Sequence, residues 1–211
     1  MLEFKLLNDN IKIYFWRKSL KNLKNTINYL ILAILFLLTT VIGGQSLAAE
    51  ESPEILITSI GQSADARMIN VLATRAEIET VYEQIASPEI IKDFKIVIAV
   101  VGGSSKGLGA AGIDQNDEIA RTKVLIQEIK ERDIKLLVMH IGGENRRGAL
   151  SDAFLDETVP YADYLIIVKS GNMDNYFTNI SKEKEIPLEI VDKIIDTGEP
   201  FKAYIEEQLA Q

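Results

Sequence analysis

The sequence contains no cysteine and only one histidine, and these absences limit the chemistry that the chain can perform. Without cysteine there can be no disulfide framework, no thiolate metal site and no cysteine nucleophile. With His140 as the only imidazole, a metal site built from several histidines of one chain is excluded. A site made of carboxylates for a hard cation remains open. Apart from this possibility, we expect neither a metal centre nor a cofactor.

Positive charge is scarce in the larger part of the chain. Residues 49–211 hold 17 of the 23 basic residues and 29 of the 31 acidic residues, which gives a net charge of −12. Nucleic-acid binding depends on the neutralisation of phosphates by basic side chains. A domain this acidic is therefore a poor candidate for nucleic acid, and also for anionic lipid surfaces.

A short apolar run follows several lysines near the N-terminus. Residues 29–42 carry no charge, and small residues follow them up to Ala48. This order is typical of a secretory signal. We expect an export segment over residues 1–48, cleaved after Ala48, then a linker over 49–54 and a single domain over 55–211 outside the cytoplasm. These 14 residues fall short of the ~20 that span a bilayer, but the region before them is long for a signal, so an uncleaved membrane anchor is the alternative. Any membrane contact is expected through this segment.

Continuous apolar runs alternate with amphipathic segments in residues 55–211. The runs that predict strands are Ile55–Ile60, Ile96–Val101, 134–141, Tyr164–Val168 and the shorter Leu188–Val191. Such runs are typical of parallel strands buried on both faces, and their alternation with helices indicates an α/β class. We expect a three-layer α/β sandwich with a five-stranded, mostly parallel sheet in flavodoxin-like or Rossmann-like order. Residues 80–85 are a weak candidate for a further strand near an edge.

Each of the first four strong strands leads into a loop that begins with or soon reaches glycine. The loops are 61–67, 102–114, 142–148 and 170–174. Glycine lets the backbone turn sharply and leaves amide N–H groups open to a ligand. Ligands of open α/β sheets bind outside the carboxyl ends of the strands. We therefore expect the four loops to form one pocket.

Basic and polar side chains in these loops favour an anionic ligand, because arginine, lysine and exposed N–H groups together bind anions. The predicted ligand-binding residues are Ser63, Arg67, Gly103, Ser104, Ser105, Lys106, Gly107, Gly109, His140, Gly143, Arg146, Arg147 and Asn172. The predicted function is that of a non-enzymatic binding domain for a small anionic metabolite, with a membrane transporter as a candidate partner.

Two other functions remain open. His140 ends a predicted strand, where it suits a general base, and Ser63 or Ser104 would then be the nucleophile of a hydrolase or transferase. No G-x-S-x-G elbow accompanies these serines. The other alternative is an envelope domain whose loops contact another protein.

Residues 103–109 fit the pattern G-x-x-x-G-x-G and resemble the phosphate loop of short-chain dehydrogenases. In that family the motif follows the first strand, whereas here it follows the second strong one. The family's Tyr-x-x-x-Lys pair occurs here only as Tyr14 and Lys18, inside the predicted export segment. These differences disfavour a nicotinamide cofactor.

Longer runs of the sequence resemble one family as a set. They are LITSIGQSADARM (56–68), VVGGSSKGLGAAGID (100–114), MHIGGENRRG (139–148), LSDAF (150–154) and KSGNMD (169–174). In this order they resemble a family of exported bacterial α/β domains known only as a domain of unknown function. The resemblance covers most of residues 55–205 and implies an exported single domain. It implies no activity, cofactor or site residue.

Overall fold

The computed structural model describes residues 54–210 together with Lys24, Asn28, Leu30 and Ile31. The strands are β1 (Ile55–Ile60), β2 (Val81–Tyr82), β3 (Ile96–Val101), β4 (Lys135–His140), β5 (Tyr164–Val168) and β6 (Leu188–Val191). The helices of residues 54–210 are α1 (Asp65–Arg75), α2 (Ser105–Ala111), α3 (Gln115–Glu131), α4 (Ala149–Asp156), α5 (Tyr176–Lys184) and α6 (Gly198–Leu209). The rest of the predicted export segment, including Tyr14 and Lys18, lies outside the described residues. No helix among the described residues is both long and apolar enough to span a bilayer.

All strands of this sheet are parallel and lie in the order β2-β1-β3-β4-β5-β6. The α/β class is confirmed, and the order follows the flavodoxin-like pattern with one more strand at the far edge. The predicted count of five strands is wrong, because the weak candidate at residues 80–85 does form β2. This strand pairs through only two residues and is half-buried, so it lacks the long apolar run of a central strand.

Alternate residues of the central strands point to two separate cores. Val97 belongs to a core that also contains Leu125 of α3, and the next residue, Ile98, belongs to a core that contains Ile69 of α1 and Phe201 of α6. Because successive side chains of a strand face opposite ways, helices cover both faces of the sheet. The three-layer arrangement is therefore confirmed.

The prediction of a loop over residues 102–114 is partly wrong, because residues 105–111 form helix α2. Its glycines disfavour a helix by about 1 kcal/mol each relative to alanine. The helix is held by its cap and by packing: Ser104 Oγ accepts a hydrogen bond from the Gly107 amide at 3.0 Å, and Leu108 is buried. Helix α3 begins after a cap at Asp114, whose Oδ1 accepts hydrogen bonds from the amides of Asn116 and Asp117.

A buried ion pair on α3 holds the loop after β1. The side chain of Glu118 is fully buried, and its Oε1 accepts hydrogen bonds from Gly61 N at 2.8 Å and Gln62 Nε2 at 3.0 Å. Arg121 donates to both carboxylate oxygens of Glu118, at 2.7 and 2.8 Å. It also donates to the carbonyl oxygens of Ser59 and Ala86, at 2.6 and 2.9 Å. One carboxylate and one guanidinium thus join α3 to β1 and to the segment after β2.

Replacing Glu118 by alanine should remove about 3–5 kcal/mol from the free energy of unfolding, because Arg121 would keep a nearly buried charge without a partner. Urea denaturation followed by circular dichroism measures this loss. The matched control is Glu128→Ala on the same helix, which breaks the exposed Glu128–Arg132 pair and should cost under about 0.5 kcal/mol. Equal losses in the two variants would contradict the role given to Glu118.

Candidate functional site

A cleft of about 680 Å³ lies at the carboxyl edge of the sheet. It is lined by residues that directly follow β1, by helix α2 after β3, and by the segment that contains β2. The chain leaves β1 towards one side of the sheet and β3 towards the other, so this is the topological switch point at which α/β sheets bind ligands. We call it the switch-point cleft.

Three cationic side chains, Arg67, Lys106 and Arg146, line the switch-point cleft. They come from the start of α1, the start of α2 and the segment after β4, so the fold and not the sequence brings them together. Within residues 54–210, neither Arg67 nor Lys106 has an ion-pair partner. Arg146 approaches one carboxylate, with its Nε 3.5 Å from Asp65 Oδ2. The cleft therefore presents positive charge that no carboxylate of residues 54–210 fully neutralises.

Asp65 and Gly142 determine where Arg146 lies. Asp65 Oδ2 is buried and accepts no hydrogen bond from the described residues, so the 3.5 Å approach of Arg146 is its only charged contact there. A Cβ atom on Gly142 would lie 1.9 Å from Arg146 Cγ and 2.7 Å from Asp65 Oδ2. Only glycine at position 142 lets the arginine side chain cross the backbone at this point. Since Asp65 faces Nε, the two Nη groups remain for a ligand.

The neutral polar groups of the cleft form a chain of hydrogen bonds that ends on Glu118. The Tyr82 hydroxyl donates to Gln84 Oε1, and Gln84 Nε2 donates to Ser63 O at 3.1 Å and to Gln62 Oε1 at 3.4 Å. Gln62 Nε2 in turn donates to Glu118 Oε1. Because an ionised carboxylate can only accept, it fixes the orientation of both amides. Burial raises the pKa of Tyr82, so its hydroxyl stays protonated and keeps donating.

The backbone at Gln62 is strained and closely packed. Its φ is 60°, a left-handed value that is uncommon for residues other than glycine. A Cβ atom on Gly107 would lie 1.9 Å from the carbonyl oxygen of Gln62, so α2 already touches this loop. Strained backbone of this kind persists where surrounding contacts hold it, and it concentrates at functional sites.

Five of the predicted ligand-binding residues line the switch-point cleft: Arg67, Ser104, Lys106, Gly107 and Arg146. The residues that sequence reasoning missed are Gln62, Ala64, Tyr82, Gln84, Ile85, Ala110 and Ala111. Most of them lie within four residues of a predicted one, and α2 carries the two alanines one turn after Lys106. No sequence signal placed the segment from Tyr82 to Ile85 at the cleft, because it reaches the cleft only through the pairing of β2 with β1.

The structure places the other predicted residues away from the cleft lining. They are Ser63, Gly103, Ser105, Gly109, His140, Gly143, Arg147 and Asn172. Ser63 is fully buried, and its Oγ accepts from the Asp65 amide at 3.3 Å. Asn172 Oδ1 accepts from the Phe177 amide at 3.0 Å, at the start of α5. Their roles in binding stay predictions.

Arg147 differs sharply from its neighbour Arg146. Its guanidinium donates to Asp152 at 2.9 Å, to Asp174 at 2.8 and 2.9 Å, and to the Gly171 carbonyl at 2.6 Å. It also lies 5.1 Å from the centre of the Tyr176 ring. Burial acts to lower the pKa of Arg147, but the hydrogen bonds and charges of Asp174 and Asp152 outweigh it and raise the pKa. The side chain joins α4 to the start of α5 and has little hydrogen-bonding capacity left for a ligand.

His140 is fully buried at the end of β4. Its Nδ1 lies 2.9 Å from Val101 O, its Nε2 lies 3.3 Å from Gly143 O, and its ring packs against Phe177 at 5.3 Å. Burial lowers the pKa of His140, while the two carbonyl groups act in the opposite direction. A neutral imidazole can donate from only one nitrogen, and the shorter contact favours Nδ1 as the donor.

The free energy of unfolding should fall as the pH drops from 7.5 to 5.5, because the unfolded chain takes up a proton at His140 that the folded protein disfavours. The slope from this group cannot exceed about 1.4 kcal/mol per pH unit, the limit for one proton. Urea denaturation at several pH values measures it. His140→Gln should flatten the slope over this range, and an unchanged slope would show that His140 does not titrate this way.

Among the described residues, no group of three or more histidine, aspartate or glutamate side chains is arranged to hold a metal ion.

The chain was compared with known proteins in three ways. A family whose description is "Domain of unknown function (DUF6305)" matches residues 52–205, which confirms the resemblance of the sequence motifs to such a family. No curated protein matches the chain.

The solved structures that match the chain include hydrolases of low sequence identity to it. The esterase EstA from Pseudoalteromonas sp. is 12% identical, with a TM-score of 0.29 over 65% of this chain and 76% of the esterase. A GDSL-like lipase from Bacteroides thetaiotaomicron is 9% identical, with a TM-score of 0.31 over 72% of this chain and 74% of the lipase. AlinE4, an SGNH-hydrolase family esterase, is 11% identical, with a TM-score of 0.28 over 64% of this chain and 72% of the esterase. TM-scores this low carry no assignment of function.

Proposed function

The chain belongs to this family of unknown function, and we propose from its switch-point cleft that it is a non-enzymatic binding domain for a small anionic ligand. The observation that carries the proposal is the convergence of Arg67, Lys106 and Arg146 on one cleft. A charge-assisted hydrogen bond from such a group contributes about 1.5–3 kcal/mol. Two or three of them are enough to hold a carboxylate or a phosphate.

The acidity of the domain makes this convergence informative. Residues 49–211 have a net charge of −12, so basic side chains have many acidic partners nearby. Lys95, Lys130 and Arg132 do lie beside carboxylates. Arg67 and Lys106 do not, within residues 54–210, and neither do Arg75 and Lys92, so what is informative is that the first two meet in one cleft. Cations left unpaired at a topological switch point match the requirements of an anion site.

We place this domain outside the cytoplasm and consider a membrane transporter its candidate partner. The support for this part of the proposal is the pattern of lysines, apolar residues and small residues over 1–48.

Inorganic phosphate, sulfate, small carboxylates and nucleotides should be tested for an increase in the melting temperature of the purified protein. An anion at 100 times its Kd adds about 2.7 kcal/mol to stability, or roughly 5–10 °C for a domain of this size. Arg67→Gln and Lys106→Gln should each reduce the shift by half or more, because each removes one cation from the cleft. Arg75→Gln is the matched control, since Arg75 is an exposed arginine two turns further along α1. No shift with any anion, or equal loss in the control, would contradict the proposal.

A hydrolase that uses His140 with Ser63 or Ser104 has less support from the geometry. Among the described residues, neither serine hydroxyl contacts the imidazole, whose two nitrogens face backbone carbonyl groups. Ser104 does line the cleft, but its Oγ accepts from the Gly107 amide as the cap of α2. The third hypothesis, a domain that contacts another protein through these loops, stays a prediction.

A fluorophosphonate probe should label neither serine at pH 7.5, because a hydroxyl without an adjacent base is a weak nucleophile. Mass spectrometry of the treated protein measures the adduct, and heat-unfolded protein is the control for non-specific labelling. Stoichiometric labelling of Ser104 or Ser63 that is lost in His140→Gln would favour the hydrolase over the binding domain.

A further inference from the structure

The switch-point cleft is much larger than an inorganic anion and only part of its wall is charged. Its volume of about 680 Å³ falls within the ~300–1,000 Å³ that is usual for sites of small organic molecules. Ala110 and Ala111 of α2 line it on one side, and Ile85 lines it after β2. Ile85 is 38% exposed. Apolar surface is thus open to solvent in the same cleft as the cations.

The neutral polar groups of the cleft offer little to a ligand. Tyr82, Gln84 and Gln62 already use their hydrogen-bonding groups within the chain that ends on Glu118. A ligand covered with hydroxyl groups, such as a sugar, would find few partners here and would leave polar groups unsatisfied, which costs binding free energy. The hydrogen-bonding capacity that remains open belongs mainly to the three cations.

On the premise of the proposed function, we propose that the ligand is an organic acid with an apolar body, held by its carboxylate on Arg67, Lys106 and Arg146. Arginine binds a planar carboxylate through two parallel hydrogen bonds, and the Nη groups of Arg146 are the ones that Asp65 leaves open. The apolar body lies against Ile85, Ala110 and Ala111. Burial of that body adds affinity that an inorganic anion cannot supply.

Isothermal titration of the full chain with butyrate, hexanoate and octanoate tests this directly. Each buried CH₂ group strengthens binding about fourfold, so octanoate should bind at least about tenfold more tightly than butyrate. Inorganic phosphate is the reference for an anion without an apolar body. Octylammonium, which has the same tail and the opposite charge, should not bind and controls for non-specific hydrophobic association.

Ile85→Ser should weaken the binding of octanoate several-fold and leave butyrate nearly unchanged, because it removes apolar surface and no charge. The matched control is Val124→Ser, which changes an apolar side chain that is 48% exposed on α3 and does not line the cleft. Both positions are exposed, so neither change should prevent folding. Equal effects of the two variants on octanoate would overturn the assignment of Ile85.

The outcomes separate this inference from the function on which it rests. If phosphate, butyrate and octanoate bind equally and Lys106→Gln weakens all three, the cleft binds anions but the inference that the ligand has an apolar body is wrong. If no anion binds, or if octylammonium binds as tightly as octanoate, the proposed function itself fails. A rise in affinity with chain length that depends on both Lys106 and Ile85 supports both.

Discussion

The buried pair of Glu118 and Arg121 is the interaction on which the carboxyl edge of the sheet depends. Removing two charges from water is expensive, and it is offset only where the geometry is good and the remaining donors and acceptors are satisfied. Here the carboxylate accepts from the loop after β1, and the guanidinium donates to β1 and to the segment after β2. The pair therefore fixes two of the surfaces that form the switch-point cleft, although neither residue lines it.

The fixed edge lets the domain keep positive charge where its overall charge opposes it. Like charges between low-dielectric walls focus their field, so the three cationic side chains give the cleft a positive potential that the acidic surface around it lacks. Under the proposed function, selectivity is then decided by the cleft, and not by a general affinity of the surface for anions. The apolar residues in the same cleft would add a second requirement, since a ligand would have to match both the charge and the hydrocarbon surface.

The class of the fold and most of its elements could be predicted from the sequence, because apolar runs such as Ile96–Val101 reflect burial on both faces of a parallel sheet. The edge strand β2 and helix α2 were harder, since one lacks an apolar run and the other is rich in glycine. The roles of the side chains at the site are harder to predict from the sequence than the fold is. Arg146 and Arg147 are adjacent and chemically identical, yet only the fold places Asp152 and Asp174 around the second of them.

The close contact between Gly107 and the carbonyl of Gln62 has a consequence for how fast a ligand can exchange. Since α2 already touches the loop after β1, the helix cannot move further towards that loop. A molecule bound in the cleft would therefore not be enclosed by an inward movement of α2. Under the proposed function, a ligand would leave without waiting for α2 to reopen, and differences in affinity between ligands would appear mainly in the dissociation rate.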